Sequence, residues 1–240
     1  MQKQQSIDGV LLVDKPSGIT SHDVVAVARK CLGTKKIGHC GTLDPLATGL
    51  LLLVIGKATK IQDLLMSEDK VYEGTMLLGV TTTSHDADGE PVQTRPVENI
   101  DEGKVQAAFQ KFAGDFYQTP PMVSAIKKDG VPLYKLARKG QEVERKPRLV
   151  HVYNYQVIRV QLPEIDFTVR CSKGFYVRTY AHEIGEILQC GAHIKNLRRV
   201  QSGNFSIRDA VTVQALKESS RDQILQSLLS LPAVSRMRGA

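Results

Sequence analysis

The 240-residue sequence has no tryptophan, and aromatic residues make up only 5% of it. Composition therefore does not favour a broad base-stacking platform for single-stranded nucleic acid. Cysteine is scarce as well. Cys31, Cys40, Cys171 and Cys190 form no C-x-x-C pair and match no zinc spacing. They read as free thiols of a reducing compartment, and no metal is implied. No apolar run approaches the ~20 residues that cross a bilayer, which excludes a transmembrane helix. The N-terminal MQKQQSIDG lacks the apolar stretch of a secretory signal, so the expected location is the cytoplasm. What is present is ordinary for a folded chain: 42% hydrophobic and 24% charged residues, enough to bury a core and against disorder.

The formal net charge of +7 is unevenly placed. Residues 127–148 carry eight basic and three acidic side chains, and residues 170–208 carry seven basic and two acidic. Each block sums to +5, and the other 179 residues sum to −3. Two basic blocks on an otherwise acidic chain are the footprint of a polyanionic partner, although solvated faces look the same on charge alone.

Apolar patterning predicts strands over 9–13, 50–55, 71–80, 150–160 and 165–171. The 50–55 run reads as buried on both faces. Helices are predicted from a Thr20 or Ser21 cap to Cys31, around Val105–Phe112, over 177–188 and over 212–229. Residues 118–148, rich in Pro, Gly and Lys, read as a long surface excursion with a short helix near 133–138. Strands and helices interleave without strict alternation, which points to an α+β fold with a mixed sheet.

The loop GHCGTLDPLATG, residues 38–49, is the densest cluster of special residues. Pro45 biases Asp44 toward extended backbone, and the flanking glycines permit close approach. A carboxylate is thereby held on a constrained loop beside a buried strand, where a reacting group gains from being pre-positioned. A plain Asp-Pro turn has the same sequence. A nucleotidyltransferase motif fails because Thr42 follows Gly41, and a Walker loop fails because no hydroxyl residue follows Gly56-Lys57. A lone carboxylate fits nucleophilic chemistry at a sugar or an electron-poor ring, with Arg178 or Lys15 as cationic neighbour. Nucleoside hydrolysis would want a second flanking carboxylate, and none stands out near this loop. In KGFYVR, residues 173–178, two aromatics stand beside two cations, a composition that suits holding a nucleobase.

Taken together, six segments in order resemble one family, the bacterial tRNA pseudouridine-55 synthases of the TruB family. They are VDKPSGITSHDVV, GHCGTLDPLATGLL, KVYEG with LGVTTTSHDADG, PPMVSAIKKDGVPLYKLARKG, CSKGFYVRTYAHEIG and CGAHIKNLRR. The resemblance implies a pseudouridine synthase fold: a mixed, mainly antiparallel sheet flanked by helices and loops. It implies one catalytic domain over 1–240, with a basic thumb-like insertion at about 118–148. The implied reaction isomerises uridine 55 of the tRNA T loop without cofactor or metal. Asp44 matches the family's nucleophile; attack at the ribose C1′, attack at C6 of the base and a glycal route all remain open. Tyr72 matches the tyrosine that stacks on the target base, and Arg178 the arginine that pairs with the aspartate. His39, Tyr176 and Leu197 match substrate-binding positions, and Lys15 lies in a motif near the site. The implied partner is the tRNA T stem-loop, met by a monomer acting without guide RNA and without a membrane. Many relatives continue into a small C-terminal RNA-binding domain where this sequence stops at Ala240, so weaker tRNA affinity than theirs is expected. A non-catalytic tRNA-binding module would be expected to lack the aspartate, which is present.

Overall fold

A computed structural model describes residues 7–239. The N-terminal hexapeptide, part of the stretch read above for a signal, lies outside them. In chain order the strands and helices are β1 (Gly9–Lys15), α1 (Ser21–Leu32), β2 (Ile37–Cys40), β3 (Thr48–Ile55), α2 (Gln62–Met66), β4 (Lys70–Leu78), β5 (Val80–Thr82) and β6 (Pro91–Thr94). There follow α3 (Glu102–Gln110), β7 (Gly114–Gln118), β8 (Lys127–Lys128), β9 (Val131–Pro132), α4 (Leu133–Ala137), β10 (Arg148–Gln161), β11 (Glu164–Cys171), α5 (Val177–Ile187) and β12 (Ala192–Ser202). The chain ends in β13 (Phe205–Ser206), β14 (Val211–Thr212), α6 (Val213–Glu218), α7 (Arg221–Gln226) and α8 (Leu231–Met237). Parallel and antiparallel pairings coexist and helices flank them, so the fold is α+β with a mixed sheet, as expected. Among the described residues no helix is long and apolar enough to cross a membrane.

The described residues divide into two compact units, 7–71 with 198–239, and 72–197. In the first, the strand order is β14-β1-β3-β12, with β2 on β3 and β13 on β12. β1 runs antiparallel to β3 from the Gly9–Ile55 pair to the Lys15–Gly49 pair. Leu50 to Ile55 are completely buried, as their unbroken apolar run predicts. Each such side chain contributes roughly 1.5–3 kcal/mol relative to exposure. Helix α1 begins with a full capping box, Thr20 and Asp23 exchanging hydrogen bonds, and ends at Gly33 in the left-handed region.

In the second unit the order is β4-β11-β10-β7, beside two separate hairpins, β5-β6 and β8-β9. Ile165, Phe167, Val169 and Cys171 of β11 point inward, as their alternation predicts. They meet an aromatic cluster in which Tyr180 of α5 touches Phe109, Phe112, Phe167 and Phe175.

Four expectations need correction. The single helix over 212–229 is instead α6, α7 and the start of a further segment. Ser220 caps α7 through its own capping box with Gln223, and Ser230 caps α8, so hydroxyl caps divide the apolar pattern. Residues 38–40, read as loop, form most of β2. The strand over 71–80 breaks at Gly79, whose φ of 93° ends β4. The eleven-residue β12 carries three cations and was not read as a strand, because its alternation is interrupted by Asn196, Leu197 and paired arginines.

Gly49 is where β3 lies parallel to β12, paired with Arg199 at a φ of 102°. A Cβ there would sit 2.2 Å from the Arg199 carbonyl oxygen and 2.8 Å from its nitrogen. Both neighbours are backbone, so the strands must part. We predict that Gly49→Ala lowers unfolding free energy by about 3 kcal/mol or more in urea titration; a loss under about 1 kcal/mol would show that the strands yield.

Candidate active site

The loop joining β2 to β3 carries Asp44, and donors from elsewhere in the first unit hold it at three residues, Gly41, Leu43 and Pro45. Lys15 is fully buried, and its Nζ donates to the carbonyls of Pro16 at 2.9 Å, Ile19 at 2.8 Å and Pro45 at 3.2 Å. The Gly18 amide donates to the same Pro45 carbonyl at 2.9 Å. Ser21, the first residue of α1, donates through Oγ to the Leu43 carbonyl at 3.0 Å and accepts from the Leu43 amide at 2.9 Å. Arg199 is 1% exposed; its Nε donates to the Leu50 carbonyl at 2.7 Å and its Nη2 to the Gly41 carbonyl at 3.0 Å. The residues on both sides of Asp44 are thus fixed by bonds to the rest of the first unit. Asp44 itself is half-buried, and its carbonyl accepts from the Ala47 amide at 3.1 Å.

His39 lies on β2, opposite Leu53, with its ring edge-on to His22 at 5.1 Å. Burial first, then the charges of His22 and Arg199, pull its pKa down to about 4. Its Nδ1 is buried without a hydrogen-bond partner. At neutral pH it is an uncharged imidazole.

The other expected residues belong to the second unit. Tyr72 is its first residue, on β4, and Leu197 its last, on β12. Tyr176 precedes α5, and its backbone is gripped by Gln118, which donates to the Tyr176 carbonyl at 3.1 Å and accepts from its amide at 2.8 Å. Arg178, on the first turn of α5, is 3% exposed. Its Nη1 donates to the Ser84 carbonyl at 2.6 Å, its Nη2 to the Val123 carbonyl at 2.8 Å, and its Nε lies 3.5 Å from the Asp86 carboxylate. The structure therefore gathers Lys15, His39 and Asp44 in one unit and Tyr72, Tyr176, Arg178 and Leu197 in the other.

Three supporting residues escaped the sequence reading: Ser21, Asp86 and Arg199. Asp86 is 4% exposed and accepts from the Ser84 hydroxyl and the Asp88 amide besides facing Arg178. Its loop is bound to β12 by the Ala87 amide on the Ile194 carbonyl, 2.9 Å. The signal was its motif, SHDADG, in which a buried acid needs a buried cation. Beside it His85, at a φ of 63°, stacks face to face on His182 at 3.9 Å. Burial, reinforced by His182, Arg178 and Arg145, holds His85 at about 3. Burial likewise lowers His182. Both rings stay neutral beside the Arg178–Asp86 pair.

Comparison with known proteins agrees along the chain. A family model described as TruB family pseudouridylate synthase (N terminal domain) matches residues 29–177. A second, described as tRNA pseudouridylate synthase B C-terminal domain, matches residues 178–232. The chain is 54% identical over 229 residues to the tRNA pseudouridine synthase B of Opitutus terrae, covering 95% of each. It is 47% identical over 230 residues to the protein of that name from Syntrophotalea carbinolica, covering 96% of this chain and 75% of the relative. Among solved structures it is similar to a chain in the crystal structure of a Cbf5-Nop10-Gar1 complex, with a TM-score of 0.73 and 28% identity. That likeness covers 96% of this chain and 62% of the other, so this chain spans under two thirds of that neighbour. With one family model matching well over half its length and a relative matched almost end to end, the chain belongs to the TruB family of pseudouridylate synthases.

Proposed function

We propose that this protein is a tRNA pseudouridine synthase that converts uridine 55 of the T loop, with Asp44 as its nucleophile. The observation that supports this most is the loop geometry. Asp44 stands at the centre of a segment whose flanking residues Gly41, Leu43 and Pro45 are each held by hydrogen bonds from elsewhere in the fold. A carboxylate held in this way needs no reorganisation when a substrate arrives. The relatives named above are tRNA enzymes, and this brings tRNA to the reading as substrate.

In the proposed reaction the target nucleotide is flipped out, at a cost of a few kcal/mol, and is received by Tyr72 through stacking and by the neutral His39. The C1′–N1 bond breaks, the base turns, and a C1′–C5 bond forms. The proton on C5 leaves to solvent, and N1 gains one. Arg178 supplies positive charge to the carboxylate, and Asp86 holds the guanidinium in place. Tyr176 and Leu197 border the base. Lys15 serves the site through the loop it pins. No metal or cofactor enters the scheme. The protein is proposed to act as a cytoplasmic monomer without guide RNA.

Residues 118–148 are proposed as the thumb that meets the T stem-loop. They build the β8-β9 hairpin and α4, and Lys127, Lys128, Lys135 and Arg138 are exposed on them. Such cations position a phosphate backbone without reading its sequence.

Tritium release from [5-³H]uridine-labelled tRNA transcript tests the reaction. Wild type is expected to release tritium and leave pseudouridine at position 55, while Asp44→Asn binds the transcript but releases none. Release by Asp44→Asn at the wild-type rate would remove the nucleophile assignment. For the thumb, replacing Lys127, Lys128, Lys135 and Arg138 together with Ala is expected to reduce the slope of log affinity against log salt by about 2–4. An unchanged slope would take the thumb out of the phosphate contacts.

A further inference from the structure

Three of the most exposed large hydrophobic side chains lie together on the second unit. Tyr117 of β7 is 72% exposed, Leu149 of β10 is 59% exposed, and Tyr153 of β10 is 49% exposed. The register places Tyr117 directly opposite Leu149 and Asp115 opposite His151. Alternation turns Val150 and Val152 into the core and leaves Leu149 and His151 on the other face. A bulge between Val152 and Asn154 adds Tyr153 to that outer face. Tyr153 is flanked by two flat groups, the His151 ring at 4.4 Å and the Arg170 guanidinium at 5.3 Å.

The charges around this patch are mainly positive. Arg148, Arg170 and Lys173 are exposed, and the carboxylate of Asp115 is tied to His151 at 2.8 Å. β7 and β10 are also the strands that the thumb leaves at Gln118 and rejoins at Arg148. Arg148 belongs as well to a groove of about 310 Å³ within the thumb, lined by Lys127, Lys128, Arg145 and Lys146 among others. Arg148 shares the parity of Val150 and Val152 and turns to that groove, so a cationic surface begins beside the aromatic patch. Exposed tyrosines with a guanidinium stacked on one of them, beside cations, suit unpaired bases of an RNA strand. Tyr117 and Leu149 alone would suit a protein partner, but flat rings beside a stacked guanidinium and further cations match bases and phosphates together.

We infer that the outer face of β7, β10 and β11 is a second RNA-contacting subsite, where Tyr117 and Tyr153 stack on unpaired bases and Arg170 and Lys173 take the neighbouring phosphates. The inference rests on the tRNA reading above and extends it beyond the target uridine. Composition argues against a broad platform, and this one is narrow, with two tyrosines of the seven in the chain.

The absence of tryptophan makes the test direct. Tyr117→Trp and Tyr153→Trp each create a single-tryptophan protein, and Val92→Trp, at a 66% exposed position on β6, is the control. Each is titrated with unmodified tRNA transcript while anisotropy of labelled transcript reports binding and tritium release reports catalysis. Emission at positions 117 and 153 is expected to fall to about half or less, with position 92 unchanged, because bases quench an indole they stack on. Tyr117→Ala and Tyr153→Ala are expected to weaken binding by about tenfold each. Full binding and catalysis with unquenched tryptophans would overturn the subsite alone. Failure to bind the transcript or to release tritium would overturn the tRNA reading, and the subsite with it. A concentration-dependent emission change without RNA, together with a doubled mass in sedimentation, would assign the face to a second copy of the chain instead.

Discussion

A buried guanidinium holds the reactive loop to the sheet. Arg199 reaches from β12 to the carbonyls of Leu50 and Gly41, and almost none of it meets water. Two carbonyls are thereby bonded to a charged donor, which is worth more than a neutral bond. The close approach of β12 to β3 that permits this is possible because Gly49 has no side chain. Lys15 and Ser21 complete the arrangement from β1 and α1. The apolar strands of the first unit thus do more than bury surface. Together with α1 they carry three polar side chains that each bond the backbone between Gly41 and Pro45, the stretch that holds Asp44.

The second unit follows a similar logic with different parts. Arg178 is fixed by one carboxylate and two carbonyls, and the residue two before it is fixed by Gln118, the last residue of β7. The start of α5 is therefore tied to the strand from which the thumb departs. Neutral, stacked His85 and His182 add no competing charge beside the Arg178–Asp86 pair. Lys127, Lys128, Lys135 and Arg138 lie outside that closed network and are exposed.

Much of this was legible in the sequence, and the part that was not has a common cause. The 50–55 run, the inward alternation of β11 and the Thr20 cap of α1 are local signals, and each appears as read. Asp44 drew attention because proline and glycines surround it. The loop contacts of Ser21 and Arg199 did not, since these residues lie 22 and up to 158 positions from the backbone they bind. An arginine in a run such as Asn196 to Arg199 looks solvated until the strand that buries it is known. The divided C-terminal helix has a related origin: Ser220 and Ser230 fit an amphipathic pattern but are better caps than interior residues.

The central claim is that catalysis depends on the loop being held, and Ser21 allows the cleanest test because it carries no charge. Ser21→Ala removes both hydrogen bonds to Leu43 and leaves Asp44 in place. The measurement is the single-turnover rate of pseudouridine formation in tRNA transcript, alongside transcript affinity. The account predicts a rate lower by about 10- to 100-fold at unchanged affinity, as expected for a displaced reacting group. A wild-type rate in Ser21→Ala would contradict it, because the carboxylate would then need no such support.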